Sequence, residues 1–324
     1  MGKVVMKVFD SILDTIGNTP MVRINRMGDG RNNIFAKLEF FNPGGSVKDR
    51  MAKYILEKAE REGKKVDTIV ENSSGNTGSA MAMISAAKGY RCLITIPDKM
   101  SDEKINLMKA FGTEVVVTRT DVPFDSPESY YSTARRIAEE RNAFYPDQYN
   151  NPDNIDAHFH STGPEIYEQM DGKVDVIVAG IGTGGTISGI GRFMKSRNPG
   201  VKIIGVDPEG SVFYNYFKTG NTGETHLYKV EGIGEDYLVK AVDFSVIDDI
   251  IQVNDRNSFE MARKLASEEG IFAGGSSGSA MYAALEISKE MEGKNIVVIF
   301  PDSGYRYLSK IYNDKWMREN GFME

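Results

Sequence analysis

Eight short hydrophobic runs, rich in β-branched residues and separated by helical patterns, constrain the fold of this chain more than any other feature of its sequence. The runs occupy residues 33–38, 68–71, 92–96, 114–118, 174–179, 202–206, 250–253 and 295–300. Most of them are continuously hydrophobic rather than alternating, which is typical of parallel strands that are covered on both faces. We therefore predict an α/β protein with two domains, each containing an open, mostly parallel twisted sheet flanked by helices.

The domain boundary is indistinct in the sequence, because the chain contains no repeat, low-complexity tract or long linker. Polar turn residues cluster at 148–154, and we place the boundary there. The prediction is a smaller N-terminal domain at 41–154 and a larger C-terminal domain at 155–324.

The composition and length allow the chain to bury a substantial core. Hydrophobic residues make up 40% of the 324 residues, and no apolar run reaches the roughly 18 residues that suggest a membrane span. The N-terminal segment 1–7 is too short and too charged for a signal peptide. The net charge of -7 is spread over the chain and argues against nucleic-acid binding. We expect a soluble, cytoplasmic protein that acts on small molecules and binds neither a membrane nor nucleic acid.

The few cysteine and histidine residues indicate neither a disulfide nor a metal site. A single cysteine, Cys92, excludes an intramolecular disulfide and fits a reducing compartment. It lies in a strand-like run, so we interpret it as a buried structural thiol rather than a nucleophile. His158, His160 and His226 lack metal-ligand spacing and a triad context, and we interpret them as surface or structural residues.

Lys48 and three loops point to a cofactor pocket. Lys48 stands at the start of a helical pattern in 41–50 (FNPGGSVKDR), and loops at 72–78 (NSSGNTG), 182–186 (GTGGT) and 301–304 (PDSG) each follow an apolar run. In open α/β sheets, ligands bind outside the carboxyl ends of the strands, so these segments can meet in one crevice. A lysine can form a Schiff base with pyridoxal phosphate, and a Gly/Thr loop at a helix start can hold its phosphate.

One loop also admits a different interpretation. Residues 180–185 (GIGTGG) fit a dinucleotide fingerprint, and Asp207 ends the next predicted strand, so an NAD-dependent oxidoreductase is the alternative. The hydroxyls of Thr183 and Thr186 suit a terminal phosphate better than a bridging pyrophosphate. Asp207 precedes Pro208 and can simply begin a turn. The dinucleotide interpretation also gives no role to Lys48.

The motifs NPGGSVKDR, SSGNTG, GIGTGGTISG and PDSGYRYLS, in that order, resemble those of the β-family (fold type II) of pyridoxal-phosphate enzymes, with a tryptophan-synthase-β-like fold. The resemblance lies within the cysteine synthase and cystathionine β-synthase group and covers about 14–316. Segments 124–129 (FDSPES), 206–211 (VDPEGS) and 231–234 (EGIG) resemble a cystathionine β-synthase core more, whereas 160–166 (HSTGPEI) resembles cysteine synthase. The resemblance implies a homodimer in which residues 1–40 pack on the C-terminal domain. We expect neither haem binding nor a regulatory domain, because the haem and regulatory segments of larger members are not found in this sequence.

The resemblance also implies a role for individual residues. Lys48 would bind pyridoxal 5'-phosphate covalently and then act as the base at Cα, and Asn76 would hydrogen-bond the phenolic oxygen of the cofactor. The implied phosphate ligands are Gly182, Thr183, Gly184, Gly185 and Thr186, and the implied ligands of the substrate carboxylate are Ser73, Ser74, Thr77 and Gln148. Glycine N–H groups at a helix start converge on a phosphate without side-chain clashes, which supports the first set.

Ser303 is implied as the partner of the pyridine nitrogen. A serine there leaves the nitrogen unprotonated, which weakens the ring as an electron sink and favours direct loss of a β-substituent. Asp302 is adjacent, and a register error of one residue would reverse this argument.

The chain departs from the group at 231–236, where EGIGYD is usual and this sequence has EGIGED. Glu235 thus replaces a tyrosine near the expected entrance to the site. Either the substitution faces solvent without consequence, or Glu235 or Asp236 serves as a base for the incoming nucleophile or for water.

The implied reaction is a β-replacement or β-elimination on serine, cysteine or an O-activated serine through an aminoacrylate. Cystathionine synthesis from serine or cysteine and homocysteine is the first expectation. Cysteine synthesis from O-acetylserine and sulfide is the second, and release of hydrogen sulfide from cysteine, with serine or lanthionine as product, is the third. The alternative from another class is a catalytically silent family member that binds the cofactor or an amino acid as a sensor.

Overall fold

The structure, a computed structural model, describes residues 8–73, 75–98, 100, 102–119, 121–123 and 126–324. The predicted site residue Ser74 and the motif residues Phe124 and Asp125 therefore lie outside the described residues.

The described part of the chain contains nine β-strands. They are β1 (Met21–Arg23), β2 (Asn33–Leu38), β3 (Thr68–Asn72), β4 (Arg91–Pro97), β5 (Glu114–Thr118), β6 (Val176–Gly180), β7 (Lys202–Pro208), β8 (Asp249–Val253) and β9 (Asn295–Phe300). Each of the eight hydrophobic runs forms a strand, with ends that shift by at most two residues. Strand β1, which is three residues long and carries no buried side chain, was not predicted.

The strands form two sheets. The larger sheet has six strands in the order β1-β2-β9-β6-β7-β8, and the smaller has three in the order β3-β4-β5. All neighbouring strands are parallel except β1 and β2. The α/β prediction with mostly parallel sheets is thus confirmed.

Eleven α-helices lie in the described residues. They are α1 (Lys48–Arg61), α2 (Asn76–Lys88), α3 (Asp102–Ala110), α4 (Tyr130–Glu140), α5 (Asp153–His160), α6 (Thr162–Gln169), α7 (Gly185–Arg197), α8 (Phe213–Thr219), α9 (Asp255–Glu269), α10 (Gly275–Ser288) and α11 (Asp314–Glu319). In this described part, no helix is long and apolar enough to cross a membrane.

The central strands of the larger sheet are buried on both faces. Ile177 and Val297 belong to a core cluster that also contains Ile187 and Ile190 of α7. Their neighbours in sequence, including Val178 and Val298, belong to a second cluster with residues of α9 and α10. Side chains alternate between faces along a strand, so both sets must be apolar. This explains why the strand sequences are continuously hydrophobic.

The N-terminal segment joins the larger sheet. Strand β2 pairs with β9 in parallel, from Asn33 opposite Asn295 to Leu38 opposite Phe300. The smaller sheet is instead packed by α1, whose Met51 and Ile55 share a cluster with Ile69 and Ile94. The domain boundary at 148–154 stays a prediction.

A buried ionic network holds the start of α1. The Nε atom of Arg50 lies 2.6 Å from Oε2 of Glu39, and its Nη1 lies 2.6 Å from Oε1 of Glu165. Lys37 Nζ contacts the second carboxylate at 2.8 Å. Burial opposes ionisation of Glu165, but hydrogen bonds from Arg50 and Lys37 outweigh it and hold its pKa at about 2. The network links α1 to β2 and α6 and so fixes the helix that carries Lys48.

Candidate active site

A cavity of about 790 Å³ opens at the carboxyl ends of strands from both sheets. Ala179 and Gly180 at the end of β6, Pro97 at the end of β4 and Pro301 after β9 line it. The predicted site residues that line the same cavity are Lys48, Ser73, Asn76, Thr77, Gln148, Gly182, Thr183, Gly184, Thr186, Glu235 and Asp236. The topology therefore brings together segments that lie far apart in the sequence.

Lys48 is the first residue of α1 and points at the loop after β6, with Nζ 3.4 Å from Oγ1 of Thr183. Burial lowers the pKa of the Lys48 ammonium to about 8, against the opposing charges of Glu235 and Asp302. More of the amine is thus neutral near pH 7 than for an exposed lysine. A neutral amine is the form that attacks an aldehyde.

The loop between β6 and α7 has the form of an anion site. Gly184 adopts a φ of 87°, and a Cβ there would lie 2.2 Å from Cγ2 of Val242. A Cβ on Gly182 would lie 2.6 Å from the carbonyl oxygen of Gly232. Only glycine fits at both positions, and the N–H groups at the start of the 13-residue helix α7 are available to a phosphate.

Gly185, the fifth predicted phosphate ligand, begins α7 but does not line the cavity. A Cβ there would lie 2.0 Å from Oδ1 of Asn154, because the helix start packs tightly against that amide. The Nδ2 group of Asn154 donates to Oγ1 of Thr183 at 3.0 Å and to the carbonyl of Gln148 at 2.8 Å. Asn154 was not among the predicted site residues, yet it connects the loop after β6 to Gln148 of the predicted substrate site.

Polar groups at the end of β3 form the opposite wall. Thr77 Oγ1 donates to Oε1 of Gln148 at 2.5 Å, and Gln148 Nε2 donates to the carbonyl of Asn72 at 3.1 Å. Ser73 Oγ accepts the N–H of Gly78 at 2.8 Å, at the start of α2. These hydroxyl and amide groups lie at a helix N-terminus and can hold a carboxylate without a cationic side chain.

The buried carboxyl of Glu71 lies behind this side of the cavity and hydrogen-bonds to its main chain. Glu71 accepts the N–H of Asn72 at 3.0 Å and the N–H of Gln148 at 3.3 Å, and its side chain is fully buried. Burial raises the pKa of Glu71 to about 8, although the two backbone N–H groups partly offset it. The carboxyl is therefore mostly protonated at neutral pH.

Asn76 lies at the first turn of α2 and faces the cavity. Its Nδ2 donates to Oδ2 of Asp302 at 2.7 Å, while its Oδ1 is buried without a hydrogen-bond partner among the described residues. Burial also raises the pKa of Asp302. Asn76 therefore places an amide at this end of the cavity, and its hydrogen bond to the phenolic oxygen of the cofactor stays a prediction.

Ser303 does not line this cavity. It lies at a second cavity of about 1020 Å³, and its Oγ accepts the N–H of Tyr305 at 3.3 Å. Asp302 instead bonds to Asn76 and, at 2.7 Å, accepts the hydroxyl of Tyr307. The pairing of Ser303 with the pyridine nitrogen stays a prediction.

Glu235 lies on the cavity wall, half-buried, whereas Asp236 is exposed at the rim. The main chain of Glu235 is held at both ends: its N–H donates to Ser211 Oγ at 3.0 Å, and its carbonyl accepts the N–H of Val212 at 3.1 Å. Burial raises the pKa of Tyr131, and the charge of Glu235 adds to this shift. The charge of Glu235 also acts on Lys48, so the carboxylate lies close to groups of the cavity.

The three histidines occupy different environments. His158 is fully buried and bonds to Thr162 and Thr186, whereas His160 and His226 are exposed. The described residues contain no group of three His, Cys, Asp or Glu side chains that could hold a metal ion. Burial raises the pKa of Cys92 to about 11, which fits a structural thiol.

The dinucleotide interpretation finds no support in the structure. Asp207 is fully buried and does not line the cavity. Its Oδ2 accepts the N–H of Tyr214 at 2.8 Å, so the carboxyl closes the turn after β7.

Comparisons with known proteins agree with this geometry. The family model for pyridoxal-phosphate dependent enzymes matches residues 12–302. Cystathionine beta-synthase from Rattus norvegicus is 50% identical over 98% of this chain, which spans 58% of the length of that relative. The crystal structure of O-ureido-L-serine synthase is 36% identical and has a TM-score of 0.88, covering 96% of this chain and 100% of that one. A hydrogen sulfide-producing enzyme from Fusobacterium nucleatum is 38% identical, with a TM-score of 0.84 over 93% and 99% of the two chains.

These similarities extend over nearly the whole chain, so they confirm the fold type II resemblance and the requirement for pyridoxal phosphate. The site fits that cofactor, because an amine of lowered pKa faces a glycine-rich helix start across one cavity. The chain belongs to the family of pyridoxal-phosphate dependent enzymes.

Proposed function

We propose that this enzyme catalyses a β-replacement on serine, cysteine or an O-activated serine, with cystathionine synthesis from serine or cysteine and homocysteine as the main reaction. The observation that carries the proposal is the convergence of Lys48, the phosphate loop and a hydroxyl-amide wall on one cavity. The cystathionine beta-synthase from Rattus norvegicus supports the choice of substrates.

The cofactor supplies an electron sink that weakens the bonds at Cα and Cβ of the amino acid. The Lys48 amine, freed when the substrate binds, accepts the Cα proton. Ser73, Thr77 and Gln148, with Ser74 as a predicted fourth member, hold the substrate carboxylate. A neutral Glu71 behind this wall adds no negative charge to repel the substrate.

The absence of a cationic side chain among the proposed carboxylate ligands has a chemical advantage. Hydroxyl and amide groups orient the substrate without a full positive charge beside the reacting carbon. The β-substituent then departs with a proton, as water when serine is the substrate. A thiol or sulfide gives up a proton as it adds to Cβ from the cavity, and Lys48 returns the proton to Cα. Glycine residues in the phosphate loop allow the main chain to approach the cofactor closely.

A second candidate function is release of hydrogen sulfide from cysteine, with serine or lanthionine as the other product. The position of Glu235 on the cavity wall favours it, because a carboxylate there can accept a proton from water or from a second cysteine. A tyrosine, with an ordinary pKa of about 10, is a poorer base at neutral pH. The hydrogen sulfide-producing enzyme from Fusobacterium nucleatum gives this candidate a structural precedent. Cysteine synthesis from O-acetylserine and sulfide remains the third candidate.

One experiment separates these reactions. The enzyme is given serine, cysteine or O-acetylserine alone and then with homocysteine or sulfide, and the products are identified by mass. Cystathionine as the main product supports the first proposal. Hydrogen sulfide from cysteine alone supports the second, and a sensor would give no product in any mixture.

Variants at Glu235 and Asp236 test whether either carboxylate acts as a base. Glu235→Tyr should reduce release of hydrogen sulfide from cysteine, and Glu235→Gln should do so without adding bulk. Asp236→Asn tests the other candidate base, because Asp236 also lines the cavity although it is more exposed. If Glu235→Tyr and Glu235→Gln leave the product spectrum unchanged, Glu235 has no role as a base.

We also propose that the enzyme is a homodimer. Phe41 and Tyr305 are 60% and 76% exposed, and both line the second cavity. Exposed aromatic side chains at an apolar concavity are typical of a protein interface. Light scattering should give twice the mass of the chain, and Tyr305→Glu should shift it towards the monomer. Val117→Glu, at a different exposed apolar residue, should not.

We also propose that the protein is located in the cytoplasm. Cys92 is a free, buried thiol, which suits a reducing environment. Cell fractionation with a marker enzyme would test it.

A further inference from the structure

His158 connects two helices beneath the proposed phosphate site. Its Nδ1 lies 2.8 Å from Oγ1 of Thr162, at the start of α6, and its Nε2 lies 3.2 Å from Oγ1 of Thr186, in the first turn of α7. The ring is fully buried, and Thr186 lines the cavity. The imidazole therefore joins one hydroxyl of the protein interior to one hydroxyl of the site.

Close packing of α5 and α7 fixes the position of the ring. A Cβ on Gly189 would lie 2.6 Å from Cβ of His158 and 2.4 Å from the carbonyl oxygen of Ile155. Only glycine allows this approach, so the packing of the two helices fixes the position of the imidazole relative to the loop at 182–186. The ring has little freedom to choose other partners.

The imidazole is neutral. Burial, together with the positive charges of Arg50 and Lys48 on α1, lowers the pKa of His158 well below its ordinary value, and Glu165 on α6 only partly opposes this. A neutral imidazole has one N–H, so one nitrogen donates and the other accepts. The two hydroxyls must take opposite roles.

The phosphate determines the direction of these hydrogen bonds, because it carries only acceptor oxygens at neutral pH. A Thr186 hydroxyl that donates its single proton to the phosphate must accept a hydrogen bond from the imidazole. The proton of the ring then lies on Nε2, and Nδ1 accepts the hydroxyl of Thr162. Each donor in this series of hydrogen bonds, from Thr162 through His158 and Thr186 to the phosphate, then has one acceptor.

We propose that His158 is a positioning residue for the cofactor phosphate: as the neutral Nε2–H tautomer, it holds the Thr186 hydroxyl with its proton directed at the phosphate. The inference rests on the placement of the phosphate at 182–186.

Two substitutions at His158 separate this role from simple packing. A glutamine amide nitrogen extends as far along the side chain as Nε2, whereas an asparagine amide reaches only as far as Nδ1. We expect His158→Gln to keep its affinity for pyridoxal phosphate within about threefold. His158→Asn should weaken it about 10- to 100-fold, the range expected when the Thr186 hydroxyl, no longer held by the ring, loses its hydrogen bond to the charged phosphate. His160→Asn, on the exposed side of the same helix, should change nothing.

Pyridoxal, which lacks the phosphate, is the matched ligand. Its affinity for His158→Asn should stay within about threefold of the wild-type value, because the lost hydrogen bond acts through the phosphate. Both affinities are measured by equilibrium dialysis. A loss of the same size for the two ligands, or equal losses in His158→Gln and His158→Asn, would overturn the proposal.

Thr186→Val distinguishes failure of this inference from failure of the loop assignment. If Thr186→Val retains the full preference for pyridoxal phosphate over pyridoxal, the phosphate lies elsewhere. Both the assignment of the phosphate to 182–186 and the role of His158 are then refuted. If the preference collapses in Thr186→Val but not in His158→Asn, only the role of His158 is refuted.

A spectroscopic test needs no variant. Long-range proton–nitrogen spectra of the nitrogen-15 labelled holoenzyme show which ring nitrogen carries the proton. We expect the Nε2–H form of His158 throughout the stable pH range. An Nδ1–H form or an imidazolium at neutral pH would contradict the proposal.

Discussion

Replacing Glu71 by glutamine tests whether a buried, protonated carboxyl supports the substrate wall. The folded-state pKa of Glu71, about 8, lies above its ordinary value of 4.5, so the native state binds the proton more tightly than the unfolded chain. Its contribution to stability is fully present below about pH 4.5 and is lost as pH rises to about 8. The difference corresponds to about 5 kcal/mol, at about 1.4 kcal/mol per pH unit.

Glutamine cannot ionise, so Glu71→Gln should lack this pH dependence. Its amide nitrogen cannot accept the N–H that the second oxygen of Glu71 accepts, which costs about 1–3 kcal/mol at every pH. The free energy of unfolding of the wild type should therefore fall, relative to that of Glu71→Gln, by roughly 3 kcal/mol between pH 5.5 and 8. Urea unfolding of both proteins across this range measures the change.

Kinetics provide an independent readout. Ionised Glu71 places a negative charge behind Gln148, so the KM for the amino acid should rise above pH 8 in the wild type and much less in Glu71→Gln. Glu209→Gln makes the same chemical change at an exposed carboxylate and should follow the wild type. If the unfolding curves of wild type and Glu71→Gln stay parallel with pH, Glu71 is ionised in the folded protein and the reasoning is wrong.

Three further substitutions test the framework of the site. Lys48→Ala should abolish turnover and the visible absorbance of the bound cofactor while leaving the far-ultraviolet circular dichroism unchanged; normal activity without added amine would refute the assignment. Arg50→Met should lower the free energy of unfolding in urea by about 3–5 kcal/mol, because it leaves buried Glu39 without its counter-charge. Gly184→Ala should cost at least about 1–2 kcal/mol from the φ of 87° alone and should weaken cofactor binding, because the added Cβ meets Val242; unchanged dialysis affinity would count against the phosphate loop.

The sequence predicted the strands well because parallel strands buried on both faces leave a continuous hydrophobic signal. It predicted the location of the cavity because glycine- and hydroxyl-rich loops follow β3 and β6. Strand β1 escaped prediction, since an edge strand of three residues with no buried side chain leaves almost no pattern.

Contacts between distant segments were harder to predict. Asn154 and His158 lie four residues apart on one face of α5, a spacing that indicates a shared environment. Nothing local shows that this face packs under 182–186. At 302–303, a shift of one residue reverses which side chain faces the site, so a motif alone cannot determine the cavity wall. Glu235 could be noticed only because it departs from a familiar motif. Its place on the cavity wall could be determined only from the fold.

The two ends of the proposed cofactor site belong to different halves of the molecule. Lys48 begins α1, which packs on the smaller sheet, whereas the phosphate loop extends from β6 of the larger sheet. A cofactor joined to Lys48 and anchored at 182–186 therefore acts as a cross-link between the halves. Its removal should loosen their mechanical coupling, and amide hydrogen exchange should accelerate first in α1 and the smaller sheet.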